Sequence, residues 1–237
     1  MEIRWKRNIG SVLLLLCGIC AMISGSFKRE EEISAEGAYE KMEAAREEIL
    51  GSCVRIQAKG HYGSGSILAL TANKIAIVTN RHVLQYWEED SYVTFFNGAV
   101  GRGQVAKLSE QADVGILCVD TADLSSEELG GLNAIEISDA EPERGNWFFM
   151  ADIASDVWNP VFYLGQVLEP LVYLEDFDVE MFYGDSAFRA GMSGCGIFDT
   201  DGKYIGMLAG GTDQNEVAAV PLQAITNFYN NIDCFEK

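Results

Sequence analysis

The chain has 237 residues, 48% of them hydrophobic and 11% aromatic, an ordinary globular composition able to bury one large core or two small ones. Acidic residues outnumber basic ones 36 to 17, for a formal charge of −19. Residues 1–29 hold five Lys/Arg and one Glu, so the rest carries −23; a surface of that sign repels phosphate backbones and speaks against a nucleic-acid partner.

Arg4, Lys6 and Arg7 precede an apolar run from Val12 to Ile23, and Ser24-Gly25-Ser26 offers small residues to a signal peptidase. Residues 1–29 read as a signal peptide or as an uncleaved signal anchor, because Ile9 to Phe27 is almost long enough to span a bilayer. Either way the body is expected outside the cytoplasm, secreted or tethered to the cell-envelope membrane through this segment. Residues 30–51 form a charged, helix-prone stem with Tyr39, Met42, Ala45 and Ile49 on one face and Gly51 as its stop. Such a helix docks on the body or spaces it from a membrane.

From Cys53 the texture changes to short strand-like runs between turn residues. The predicted strands of a first group are Cys53 to Ala58, Ser66 to Leu70, Ile75 to Thr79, Tyr92 to Phe96, Val100 to Leu108 and Val114 to Asp120, with Asn97-Gly98 as a hairpin turn. A second group comprises Trp147 to Asp152, Phe162 to Glu169, Val172 to Met181, Gly196 to Asp199, Tyr204 to Ala209 and Val217 to Val220, with Asp201-Gly202 closing a hairpin. In the Val172 to Met181 run, Asp176, Asp178 and Glu180 read as one acidic, solvated strand face rather than a calcium site. The polar stretch from Thr121 to Asn133 links the groups, and a helix is expected from Leu222 to about Ile232. Many short strands at close spacing make an all-β sandwich or barrel.

Outside the apolar segment the cysteines are Cys53, Cys118, Cys195 and Cys234, widely spaced; they permit two bridges in an exported protein or burial as free thiols. Only two histidines occur, with no His-x-x-x-His or Cys/His cluster, so no zinc site and no cofactor is expected.

Asp185 to Phe198 draws attention because Gly191 and Gly194 frame Ser193 just before an apolar run, which is how a hydroxyl is held on a tight turn. A hydrolytic serine needs a histidine base and usually a carboxylate to orient it. Both histidines, His61 and His82, precede Ser193, which excludes the Ser…Asp…His order, and no aspartate occurs before Asp90, which excludes Asp…His…Ser. A papain-like role for Cys195 would need a downstream histidine, and there is none. His…Asp…Ser survives. His61 lies in a turn-rich stretch, where an exposed loop histidine is the bland reading; His82 closes the apolar strand Ile75 to Thr79. Asp113 precedes a strongly apolar strand, whereas its rivals Asp90 and Asp120 look solvated.

Separate stretches of the chain together resemble the chymotrypsin-like (trypsin-fold) serine peptidases, most closely the HtrA/Deg branch. Gly63 to Leu68 is similar to that branch's early Gly-Ser-Gly strand, Thr79-Asn80-Arg81-His82-Val83 to its histidine motif, Asp113 to Leu117 to its aspartate motif and Asp185 to Gly194 to its serine motif. The hairpin Asp199 to Gly206 and the Ala219-Val220-Pro221 run fit as well, while residues 121–180 match loosely. The resemblance implies two six-stranded antiparallel β-barrels over residues 52–237, the first about 52–130 and the second about 131–221, followed by a C-terminal helix at 222–234. It implies a serine endopeptidase acting on exported or misfolded polypeptides through His82, Asp113 and Ser193. The N–H groups of Gly191 and Ser193 would form the oxyanion hole, and Ala187, Met207, Leu208 and Ala209 would line a primary pocket for a small or medium apolar side chain.

Departures from the pattern are Met192 in place of Asn or Asp, Cys195 in place of a second Gly and Gly196 where Pro or Ala is common. If Met192 and Cys195 distort the serine turn, the alternative is a catalytically impaired trypsin-fold module that binds peptides, or an envelope adaptor. The chain stops after one helix, so the C-terminal PDZ domain typical of the branch is expected to be absent, and with no activation peptide visible no zymogen cleavage is expected.

Overall fold

The β-branched and aromatic runs become strands largely where their alternation places them. The computed structural model describes residues 33–229; the signal or anchor reading of residues 1–29 lies outside them. Helix α1 (Ala35–Ser52) leads into strands β1 (Cys53–Ala58), β2 (His61–Leu70) and β3 (Lys74–Thr79), the one-turn helix α2 (Arg81–Leu84), and strands β4 (Tyr92–Phe95), β5 (Val100–Gly101), β6 (Gly103–Leu108) and β7 (Gly115–Asp120). A 3₁₀ turn and the short helix α3 (Ser126–Leu129) carry the chain over to β8 (Trp147–Asp152), β9 (Val161–Leu174), β10 (Val179–Asp185), β11 (Gly196–Asp199), β12 (Tyr204–Gly211) and β13 (Glu216–Pro221), and helix α4 (Leu222–Tyr229) closes the described chain.

The second half is a closed antiparallel barrel in the order β10-β13-β12-β11-β8-β9. The first half corrects the expectation of a second six-stranded barrel: it is a seven-stranded sheet, β5-β4-β1-β2-β3-β7-β6, whose ladder does not close. The cause lies in the single predicted strand Val100 to Leu108. Its first two residues pair with β4 and the stretch from Gly103 pairs with β7, so the two sheet edges are joined by Arg102 alone. Glycines flank that break, and a Cβ on Gly103 would stand 2.8 Å from the Cys118 carbonyl oxygen. A second correction concerns the acidic strand. Residues 175–178 are the turn between β9 and β10, and Asp178 has φ +54°, so Asp176 and Asp178 belong to no strand face.

Three apolar clusters hold the fold. One fills the first sheet with Val54, Ile56, Ile67, Ile77, Phe95 and Leu117. Another fills the barrel with Phe148, Met150, Phe182, Met192, Ile197 and Leu208. The third lies between the halves and under α1, and draws on Met42, Ile49, Val78, Phe149, Phe198 and Met207. Phe148 and Met150 face the barrel interior while Phe149 faces the shared core, the period-two alternation of a strand buried on both sides.

The stem docks on this shared core. Ser34 caps α1 by accepting from the Gly37 N–H, and Ala38, Met42 and Ile49 are buried. Tyr39, expected on that face, is 54% exposed. Polar contacts fix the helix along its length: Trp147 Nε1–H donates to the Ile33 carbonyl, Lys41 pairs with Asp201, and Asn133 donates to the Glu48 carbonyl. Among the described residues no helix is long and apolar enough to cross a membrane. Cys53 and Cys195 are free and buried, and Cys118 is disulfide-bonded.

Candidate active site

His82 owes its position to the end of β3. Asn80, fully buried, stops the strand in an extended conformation, and its carbonyl accepts from the Val83 N–H to open α2. Val83 and Leu84 bury in the first sheet, which leaves His82 on the outer side of the turn with 42% of its side chain exposed. The Asn80 side chain reaches the other way and donates to the Asp113 carbonyl at 3.0 Å. Asp113 sits just before β7 in a loop tied by Ser109, whose hydroxyl accepts from the N–H groups of Gln111 and Ala112.

The result is a two-point contact. Asp113 Oδ2 lies 2.6 Å from His82 Nδ1, and Oδ1 accepts from the His82 backbone N–H at 3.0 Å. An ionised carboxylate accepts only, so Nδ1 carries the hydrogen and Nε2 is left with its lone pair. Of the rival carboxylates, Asp120 pairs with Lys74 on the surface and Asp90 is exposed among Glu88, Glu89 and Arg102.

Ser193 comes from the barrel and is latched to the first sheet by one residue. The Ser64 N–H donates to the Ser193 carbonyl at 2.8 Å, and Ser64 Oγ donates to the Gly191 carbonyl at 3.0 Å. Thr79, at the end of the strand that leads to His82, donates to the Ser64 carbonyl at 2.6 Å. Gly191 and Gly194 take φ values of +95° and +89°, which favour glycine. A side chain on Gly194 would also run into the Ser64 carbonyl and the Thr79 hydroxyl. On the barrel side, the Gly194 N–H donates to the Leu208 carbonyl and the Leu208 N–H to the Cys195 carbonyl.

Ser193 and His82 line one cavity of about 90 Å³ with Tyr62, His61, Val83 and Tyr86. Among the described residues no hydrogen bond joins Ser193 Oγ to His82, a spacing common in sites without substrate. A larger cavity of about 340 Å³ is lined by Asp113 and His82 together with Phe177 and Met181, and does not include Ser193. His61 is exposed, as expected, but it begins β2 instead of lying in a loop, and its ring stacks on Tyr86 at 4.3 Å.

The departures Met192 and Cys195 point away from the cavity. Met192 is wholly buried in the barrel core, and its sulfur accepts from the Arg189 N–H at 3.3 Å. Cys195 is equally buried and its thiol donates to the Ala151 carbonyl at 3.2 Å; burial first, and then the proximity of Cys53, push its pKa well above the ordinary thiol value. A neutral thiol at that depth is a small apolar filler, not a nucleophile.

The residues expected to line a primary pocket are spread over different surroundings. Ala187 is exposed in the loop before Gly191, Leu208 faces the barrel interior, and Met207 and Ala209 face the core shared with the first sheet. Phe188, in that same loop, packs on the barrel core with its ring against Gly211 at the end of β12. Sequence reasoning passed over Phe188, and also Asp152 and Arg189, which form an ion pair at 3.1 Å beneath the serine turn. No sequence motif marks these three, and the two charged partners are far apart along the chain. Among the described residues no group of three or more His, Cys, Asp or Glu is arranged to hold a metal ion.

Comparison with known proteins agrees with this architecture. No curated protein matches the sequence significantly. Among solved structures, the inactive form of a serine-to-alanine mutant of Rv3671c from M. tuberculosis H37Rv superposes with a TM-score of 0.61 at 15% identity, over 83% of this chain and 92% of that one, a likeness of fold. The family model described as a trypsin-like peptidase domain matches residues 51–207, which include all three stretches carrying His82, Asp113 and Ser193. This chain therefore belongs to the family of trypsin-like peptidase domains.

Proposed function

We propose that the protein is a serine endopeptidase in which Ser193 is the nucleophile, His82 the general base and acid, and Asp113 the carboxylate that orients the ring. The observation that carries this reading is the two-point contact of Asp113 with His82, facing Ser193 across a shared cavity. Ser193 Oγ adds to the scissile carbonyl carbon while its proton passes to His82 Nε2. The carbonyl π pair moves onto oxygen, where the N–H groups of Gly191 and Ser193 receive it; among the described residues neither is engaged by another main-chain acceptor. Asp113 balances the imidazolium. Collapse breaks the C–N bond, His82 returns the proton to the leaving amine, and water repeats the sequence on the acyl-enzyme.

The substrates are polypeptides, exported or misfolded, met outside the cytoplasm at the cell envelope. The motifs around His82 and Ser193 favour the HtrA/Deg branch. The resemblance favours a small or medium apolar residue before the scissile bond over Lys or Arg. A peptide-library digest tests the activity: cleavage by the parent and none by Ser193→Ala is the expected pair of results. Binding of peptides without cleavage by either would favour the alternative of a trypsin-fold binding module.

A further inference from the structure

A serine turn works only if Gly191 is held with its N–H toward the incoming oxygen, and two loops frame that glycine. One is the segment after β8: the Ala154 Cβ lies 3.4 Å from where a Gly191 side chain would begin. The other is the segment 186–192 that carries Gly191 itself, folded into a turn by the Met192 N–H donating to the Arg189 carbonyl. Both loops converge on one carboxylate. Asp152, at the end of β8, has a side chain with no solvent exposure. Its Oδ1 accepts from the N–H groups of Ala154 and Ser155 at 2.9 and 3.2 Å, and its Oδ2 accepts from the Ser155 hydroxyl at 2.9 Å.

The remaining contact of Oδ2 is Arg189 Nε at 3.1 Å, and that nitrogen also lies 2.6 Å from the Tyr163 hydroxyl on β9. A carboxylate buried this deeply is costly unless it is hydrogen-bonded and its charge is met; here Ala154 and Ser155 supply three donors and the Arg189 guanidinium meets the charge. Apolar residues would fill the same space without direction. A charged pair held by Ala154, Ser155 and Tyr163 fixes where Arg189 sits, and the chain between Arg189 and Gly191 is a single residue long.

We propose that Asp152 and Arg189, steadied by Tyr163, are positioning residues that lock both loops around Gly191 and so keep the oxyanion donors aligned. The proposal rests on the reading of Ser193 as nucleophile. In this chain Met192, next to the serine, is apolar and buried, so the charge that orders the turn is supplied three residues earlier by Arg189 and met from β8.

The test compares the parent with Arg189→Ala, Arg189→Lys and Asp152→Asn, reading kcat and KM on a p-nitrophenyl ester, the rate of phosphonylation by a fluorophosphonate, and amide hydrogen exchange over residues 186–195. Arg189→Ala is expected to lower kcat by about 10²-fold with KM within about threefold, the pattern of a lost transition-state contact. Arg189→Lys should recover about tenfold of that loss, and exchange over 186–195 should rise in the impaired variants while that of β1–β3 stays as in the parent. Arg189 is half exposed, so its variants keep the test valid if Asp152→Asn fails to fold. A kcat within about threefold of the parent in both Arg189→Ala and a folded Asp152→Asn overturns the proposal and leaves the peptidase reading standing. If the parent itself neither turns over the ester nor takes the probe, the peptidase reading fails. The locking of the loops is then judged by exchange alone, and unchanged exchange over 186–195 overturns it.

Discussion

Asp113 grips His82 twice, through the ring at 2.6 Å and through the backbone N–H at 3.0 Å, so the same carboxylate sets both the position of the α2 turn and the tautomer of its imidazole. Asp113→Asn keeps the shape and removes the charge. Its amide can present a hydrogen to Nδ1, which would turn the ring lone pair away from Ser193. We expect kcat to fall by about 10⁴-fold with the fold intact, measured by ester hydrolysis beside far-UV circular dichroism. Loss of less than about tenfold would mean that the ring does not act as a base held by Asp113.

The Ser64 latch gives a second expectation. Gly194→Ala places a methyl group against the Ser64 carbonyl and the Thr79 hydroxyl, at a φ of +89°. The backbone conformation alone costs about 1–3 kcal/mol, and relieving the clash must shift Ser64, whose N–H holds the Ser193 carbonyl. Urea unfolding should show the destabilisation, and activity should fall further than stability does. Thr79→Val, which leaves the buried Ser64 carbonyl without its side-chain donor, should cost about 1–3 kcal/mol.

Phe188 sets up a specificity experiment. Its ring packs against Gly211 at the end of β12; on the proposed peptidase reading, the pocket for the side chain preceding the scissile bond is placed beside it. Phe188→Ala should shift a peptide-library cleavage profile toward larger apolar residues at that position, with little change for alanine. An unchanged profile would place the primary pocket elsewhere.

The buried thiols predict a shape for the alkaline limb of stability. Burial pushes Cys53 from 9.0 up to about 12, and pushes Cys195 well above the ordinary value. Above pH 9 the unfolded chain has lost these protons while the native state keeps them, so stability falls as pH rises, by about 1.4 kcal/mol per unit for each thiol until its folded pKa is passed. Cys53→Ala should flatten that slope in denaturant titrations between pH 9 and about 11. Rapid native-state alkylation of Cys195 at neutral pH would contradict the burial.

The strands were legible where alternation or an apolar run was unbroken: β1, β8 and β11 span the predicted residues, and β3 and β13 lie within a residue of them at each end. The misses have local causes. The turn at 175–178 contains neither Gly nor Pro, and Asp178 adopts a left-handed conformation while it meets the Tyr173 hydroxyl, so alternation ran straight through it. The open ladder at Arg102 follows from how one strand divides between two sheet edges, which periodicity does not register. Ser193, His82 and Asp113 stood out because serine chemistry restricts their order along the chain. Asp152, Arg189 and Phe188 did not, because a buried ion pair and a ring in a slot are defined by tertiary proximity and by no spacing in sequence.

The central claim is that Ser193 is a nucleophile activated by His82. Incubation with a fluorophosphonate between about pH 6 and 9, followed by digestion and mass spectrometry, should place one phosphonyl group on Ser193, strongly reduced in His82→Ala and absent in Ser193→Ala. Equal labelling of the Ser193→Ala variant, or no labelling of the folded parent at any pH in that range, would contradict it.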